Sequence, residues 1–98
     1  MLFKVYKASR IVVALCDEEL IGKKFLDEKR QLDLTGSFFR GEKKDVKEIE
    51  ELLVFYKKED ACFNIVGKKS CDVAIKVGLV KKEDLAFIEG VPFVLVLM

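Results

Sequence analysis

The stretch Ile11-Val12-Val13-Ala14-Leu15-Cys16, followed at once by Asp17-Glu18-Glu19-Leu20-Ile21-Gly22, decides how this chain folds. A continuous apolar run rich in β-branched residues is the pattern of a strand buried on both faces, and so of a central strand. The change to acid ends the strand at Cys16. Asp17 is placed to cap a short helical turn over 18–21, and Gly22 to stop that turn. Upstream, Leu2–Lys7 alternates weakly, with Phe3 and Val5 on one face. Ala8-Ser9-Arg10 is short enough to make a hairpin into the central strand.

Downstream, Phe25 and Leu26 begin another extended piece, and Asp27 and Glu28 turn it. Gln31-Leu32-Asp33-Leu34 then alternates with period two before the breaker Thr35-Gly36-Ser37. Asp45-Val46-Lys47-Glu48 is a capping box with Asp in place of Ser or Thr. Behind it Val46, Ile49, Leu52, Leu53 and Tyr56 share one face of a helix predicted over 46–58. Residues 61–66 read as a short strand, broken by Gly67. A second helix is predicted from there to about Val77, with Val73, Ala74 and Val77 inward and Gly78 as its C-terminal cap. Residues 85–88 and 93–97 are two final strands, joined through a turn at Glu89-Gly90-Val91-Pro92. The expected fold is α+β, a small mixed, mostly antiparallel sheet with two main helices packed on one face. Residues 1–98 are expected to form a single domain, because no repeat, linker or low-complexity segment divides them.

Composition agrees with a packed core under a charged shell: 51% of the 98 residues are hydrophobic and 36% charged. A chain of this length buries roughly 60–70% of the surface its unfolded form exposes. With 18 basic and 17 acidic residues the formal charge is +1, which gives no global drive toward nucleic acid or membranes. The three cysteines, Cys16, Cys62 and Cys71, are odd in number and form no C-x-x-C pair. A disulfide framework is therefore not expected, and a reducing cytoplasm is. The absence of histidine removes imidazole acid–base catalysis and His-ligated metals, and no cofactor motif takes their place. No signal peptide is apparent. The longest apolar stretch, 91–98, is far short of the ~20 residues of a membrane helix. Asn64 is the only Asn and Gln31 the only Gln among many Lys and Glu, a bias expected of a thermostable protein.

Four segments are candidates for chemistry, and each also has a plainer structural reading, which is preferred. Cys16-Asp17-Glu18-Glu19 could form a metal or nucleophile site, but adjacent residues at a strand end diverge, and acids beside a thiol oppose its ionisation. Phe38-Phe39-Arg40-Gly41-Glu42-Lys43-Lys44 combines aromatic and basic groups, as single-stranded RNA recognition does. Two adjacent rings cannot both point inward from a regular element, so one is expected to face solvent or cover a helix end. Asn64 is a lone amide in an apolar strand, and bracing of the Gly67 turn is its expected role. Gly67-Lys68-Lys69-Ser70 resembles the tail of a phosphate loop but lacks the earlier Gly and the Gly-Lys-Ser/Thr order, so only casual anion binding at a helix start is expected. Lysine pairs at 23–24, 43–44, 57–58, 68–69 and 81–82 are read as solvated faces paired with nearby acids.

Val13-Ala14-Leu15-Cys16-Asp17-Glu18-Glu19-Leu20-Ile21-Gly22-Lys23 also resembles the V-A-x-C-D-E-E-L-L-G-K signature of a small archaeal family, domain of unknown function 424. Phe38-Phe39-Arg40-Gly41 is similar to its F-Y-x-G, and Asn64-Ile65-Val66-Gly67 to its N-L-V-G. Gly78-Leu79-Val80 and Glu89-Gly90-Val91-Pro92 follow in family order, so the resemblance spans nearly the whole chain. It implies an archaeal source and supplies no activity. The family pattern places a His and then a Gln after the Gly-Val-Pro turn. Phe93 and Leu95 stand there instead, so a role resting on that His has no counterpart here.

The leading expectation is a non-enzymatic binding module for RNA or a ribonucleoprotein surface, using Phe39, Arg40, Gly41, Lys43 and Lys44. The alternatives are a small enzyme or ligand-binding protein with a pocket near Cys16, Asp17 and Asn64, and a protein-interaction or oligomerisation module.

Overall fold

The computed structural model describes residues 1–98. The run that decides the fold forms strand β2, Ile11–Cys16, and it pairs with β1, Leu2–Lys7, as an antiparallel hairpin. Beyond β2 come the short strands β3, Lys24–Leu26, and β4, Gln31–Asp33, then β5, Glu42–Lys43. Helix α1, Val46–Lys58, leads to β6, Cys62–Val66, which lies parallel to β2. Helix α2, Lys68–Lys76, follows, and strands β7, Ala86–Ile88, and β8, Val91–Val96, complete the chain. The main sheet has six strands in the order β5-β1-β2-β6-β8-β7, and β3-β4 is a separate two-stranded sheet. The fold is α+β, with β2-β6 the one parallel contact in a mostly antiparallel sheet.

Strand alternation divides the apolar residues between two cores. Phe3, Val13, Leu15, Phe63, Ile65 and Val94 face the helices and meet Ile49 and Leu53 of α1 and Cys71, Val73 and Ala74 of α2. The alternate positions Cys16 and Val66 face the other way. There they meet Leu34, Phe25 and Leu32 of the β3-β4 segment, with Phe39 and Phe93 beside them. The second face of the sheet is thus covered at one end by a hairpin. Of the predicted inner face of α1, Ile49 and Leu53 are buried, whereas Val46 at the first turn is half exposed.

The capping box of α1 is present in both directions: Asp45 accepts from the Glu48 N–H at 2.8 Å, and the Glu48 carboxylate faces the Asp45 N–H. The chain leaves α2 at Gly78, and the Leu79 N–H returns to the Ala74 carbonyl. The last hairpin turns more tightly than expected. Glu89 and Gly90 carry φ of +52° and +79°, the two-residue pattern of a type I′ turn, and Val91 and Pro92 belong to β8. The Phe38–Lys44 segment is also not all loop, because Glu42 and Lys43 pair with Phe3 and Leu2.

Asp17 departs furthest from local expectation. Its side chain makes no cap to the 3₁₀ turn Glu18–Leu20 that follows it. The carboxylate instead crosses to α2, accepting from the N–H groups of Lys69 at 3.0 Å and Ser70 at 2.8 Å and from the Ser70 hydroxyl at 2.7 Å. Orphan N–H groups at a helix start are good partners for a buried anion. The contact requires Gly67, whose φ is +108° and where a Cβ would lie 2.6 Å from Asp17 Oδ2.

Asp17→Ala should cost about 3 kcal/mol, the loss of charge-assisted hydrogen bonds with donors left buried. Gly67→Ala should cost about as much, through collision and a strained φ. Both follow from urea unfolding midpoints. Because the new methyl collides with the carboxylate, the double variant should lose less than the sum of the two.

Candidate functional site

Period-two alternation in β1 places Lys4 and Tyr6 opposite Phe3 and Val5, on the face away from the helices. Register sets Lys4, Ala14, Asn64 and Leu95 side by side across four strands. Asn64 therefore stands two strand spacings, about 10 Å, from Lys4 on the same face. Its amide is only partly buried and makes none of the side-chain hydrogen bonds in the structure. The Gly67 turn is braced by Asp17 and by the Gly67 N–H to the Pro92 carbonyl, not by Asn64.

The segment before β5 folds onto this face. The Tyr6 and Phe38 rings stack in parallel, 5.0 Å apart and 1° from coplanar, and the Tyr6 hydroxyl donates to the Phe38 carbonyl at 2.7 Å. Phe39 meets Phe38 edge-on and turns down into the second core. The outward ring of the pair is thus Phe38, 39% exposed, and Phe39 anchors it. Lys4 Nζ lies 5.1 Å from the Tyr6 ring centre, within cation–π range.

Beside the stack, β1 and the 40–44 segment enclose an open concavity of about 560 Å³. Lys4, Arg40 and Lys44 line it, with Glu42 as its one acid. Gly41 permits the close approach: a Cβ there would overlap the Phe3 carbonyl and come within 2.9 Å of Lys4 Cβ. Arg40 is exposed and joins none of the ion pairs. Lys44 pairs with Glu42 at 3.2 Å and Lys43 with Glu18 at 3.2 Å. Of the residues the sequence singled out, the fold brings Arg40, Gly41 and Lys44 to this concavity. It directs Lys43 to Glu18, and Phe39 inward. Lys4 and Tyr6 were missed, although the alternation that set Phe3 and Val5 on one face already set these two on the other.

The acid-flanked cysteine has a different surrounding. Cys16 is wholly buried, and its thiol donates to the Asp17 carbonyl at 3.3 Å. Burial, aided by Asp17 and Glu19, pushes its pKa up to about 12. Burial does the same to Cys71, also to about 12. Cys62 moves down, through hydrogen bonding with the Met98 backbone and then through Arg10. Asp17 serves α2, and Glu19 pairs with Lys69 at 3.3 Å. Cys16, Asp17 and Asn64 do not converge on a pocket. The start of α2, considered for an anion, already holds the Asp17 carboxylate. No group of three or more His, Cys, Asp or Glu side chains gathers as a metal site requires, and no helix is long and apolar enough to cross a membrane.

The spacing of C-D-E-E, the aromatic pair before Gly41, and Asn64 to Gly67 now each have a structural place. The family model described as "Protein of unknown function (DUF424)" matches residues 6–98. The chain belongs to the DUF424 family. A solved structure, the crystal structure of an uncharacterized conserved protein from Methanopyrus kandleri, superposes with a TM-score of 0.82. The two share 23% identity over 96% of this chain and 87% of the other, a likeness of fold. No functionally curated protein matches the chain.

A thiol kept protonated by the fold but free to ionise when unfolded makes the unfolded state the better proton donor. Stability should therefore be unaffected by Cys16 and Cys71 below their ordinary pKa of 9.0 and fall as pH rises from there toward about 12. Urea midpoints between those limits should decline less steeply in Cys16→Ala/Cys71→Ala than in the parent. Cys62 is also buried but 5% exposed, against none for the other two, so alkylation of the native protein, followed by mass spectrometry, should label it first.

Proposed function

We propose that this protein is a non-enzymatic module that binds single-stranded RNA, free or on a ribonucleoprotein surface. The observation that supports this most is the Tyr6–Phe38 stack, its Phe38 ring partly exposed, beside Lys4 and the unpaired Arg40. Aromatic faces accept any base by stacking, and cations set one or two residues away meet the phosphates. Asn64, on the same sheet face, supplies donors and an acceptor for a base edge. The free part of the second sheet face gives Lys4, Tyr6 and Asn64 a rigid mounting, as strands hold side chains more firmly than loops do, and Tyr6 and Phe39 hold Phe38 against it. The non-enzymatic character draws on the engagement of Asp17 and the burial of Cys16, which leave neither poised for chemistry. We place the module in the cytoplasm of an archaeon and expect it to be thermostable. Three free, buried cysteines suit a reducing compartment, and the scarcity of amides suits heat.

Fluorescence anisotropy with a labelled single-stranded RNA tests the proposal. Binding should weaken steeply as salt rises, with a slope of roughly 0.7 per phosphate contacted. Phe38→Ala should weaken it by about tenfold, the scale of one lost stacking contact, and Tyr6→Ala, which removes the ring that supports Phe38, should weaken it in the same direction. Arg40→Ala should lower the salt slope by about one contact, whereas Lys76→Ala, on α2, should change nothing. Absence of binding, or binding indifferent to salt and to Phe38, would sink the idea.

A further inference from the structure

On the helix side of the sheet, far in sequence from the aromatic stack, α2 and the β7-β8 hairpin enclose a second concavity of about 580 Å³. Its size is that of a small-molecule site. The partly exposed Ile75 and Leu85 give it an apolar lining, with the buried Cys71 and Pro92 forming its floor. Phe87 forms part of the wall and is 54% exposed, so its side chain offers apolar surface to an occupant. The charged groups lining it are Lys68, Asp72 and Lys82. Asp72 faces Lys68 loosely, at 3.8 Å along α2. Lys82 comes from the 3₁₀ turn Lys82–Asp84, is exposed, and joins none of the ion pairs. An apolar lining, a flat ring and an uncommitted ammonium thus meet in one place.

We infer that this concavity binds a small organic anion with a flat apolar body, such as an aromatic carboxylate. The body lies against Phe87 and the apolar lining, where it removes exposed hydrophobic surface from water. The carboxylate meets Lys82, a charge-assisted contact at the edge of an apolar site. Charge complementarity favours an anion, because Asp72 already offsets Lys68 and leaves the Lys82 charge uncompensated. The site lies apart from the proposed RNA surface, so either can fail without the other.

Titration of the intact protein with naphthoate, followed by amide NMR spectra, tests the inference, with neutral naphthylmethanol as the uncharged control. The expected result is saturable shifts concentrated at Lys68, Cys71, Ile75, Leu85 and Gly90. Lys82→Glu should weaken naphthoate by about tenfold, the scale of one charge-assisted contact, and leave naphthylmethanol unchanged. Phe87→Ala should weaken both. The spectra of each variant report at the same time that it is folded. The inference is overturned by shifts that do not saturate or that fall elsewhere. It is overturned equally by Lys82→Glu affecting both compounds alike or neither, or by indifference to Phe87→Ala.

Discussion

The structure depends on one buried carboxylate. Asp17 ends the central strand, is only 4% exposed, and directs both oxygens at the first turn of α2. A buried anion is tolerated only where donors compensate it, and here two backbone N–H groups and a hydroxyl do so. The contact fixes where α2 begins relative to β2, and so how the helix lies across the sheet. It also explains Gly67, since no side chain fits between that backbone and the carboxylate. The acids that follow extend the tie outward, Glu18 to Lys43 of β5 and Glu19 to Lys69 of α2. Those exposed pairs add little energy singly, but they fasten the same turn from two sides.

From that fixed point the sheet presents two unequal faces. The helix face carries the larger core. The other is covered only in part, by β3-β4 and by Leu34 and Phe39 over Cys16 and Val66. Partial cover leaves Phe38 exposed and Tyr6 and Lys4 partly so, while Phe39 holds their support in place. An inward ring next in sequence to an outward one is how an apolar dipeptide can both stabilise a loop and leave a ring at the surface. The six-stranded sheet thus provides structure on one side and a mounting for the aromatic–basic surface on the other.

The sequence by itself determined the elements. Unbroken hydrophobicity marked β2, period two marked β1 and β4, a capping box marked the start of α1, and Gly67 and Gly78 bounded α2. These signals are local, because backbone hydrogen bonding and side-chain periodicity are decided within a few residues. The α+β class followed from their order, and the family followed from the ordered motifs. Tertiary structure alone decided the partners. Sequence placed Asp17 at a cap but assigned it the neighbouring turn, since a carboxylate at a strand end bears no local mark of which helix it serves. Sequence saw that Phe38 and Phe39 could not both point inward and put Phe39 forward as the binding ring, but the second core, built by residues far apart in the chain, takes Phe39 in and leaves Phe38 outward. Pairing of β5 with two residues of β1, and the meeting of Arg40 with Lys4, likewise rest on strand order. Strand order is a contest among long-range contacts whose outcome depends on burial summed over the whole chain, and no short window contains that sum.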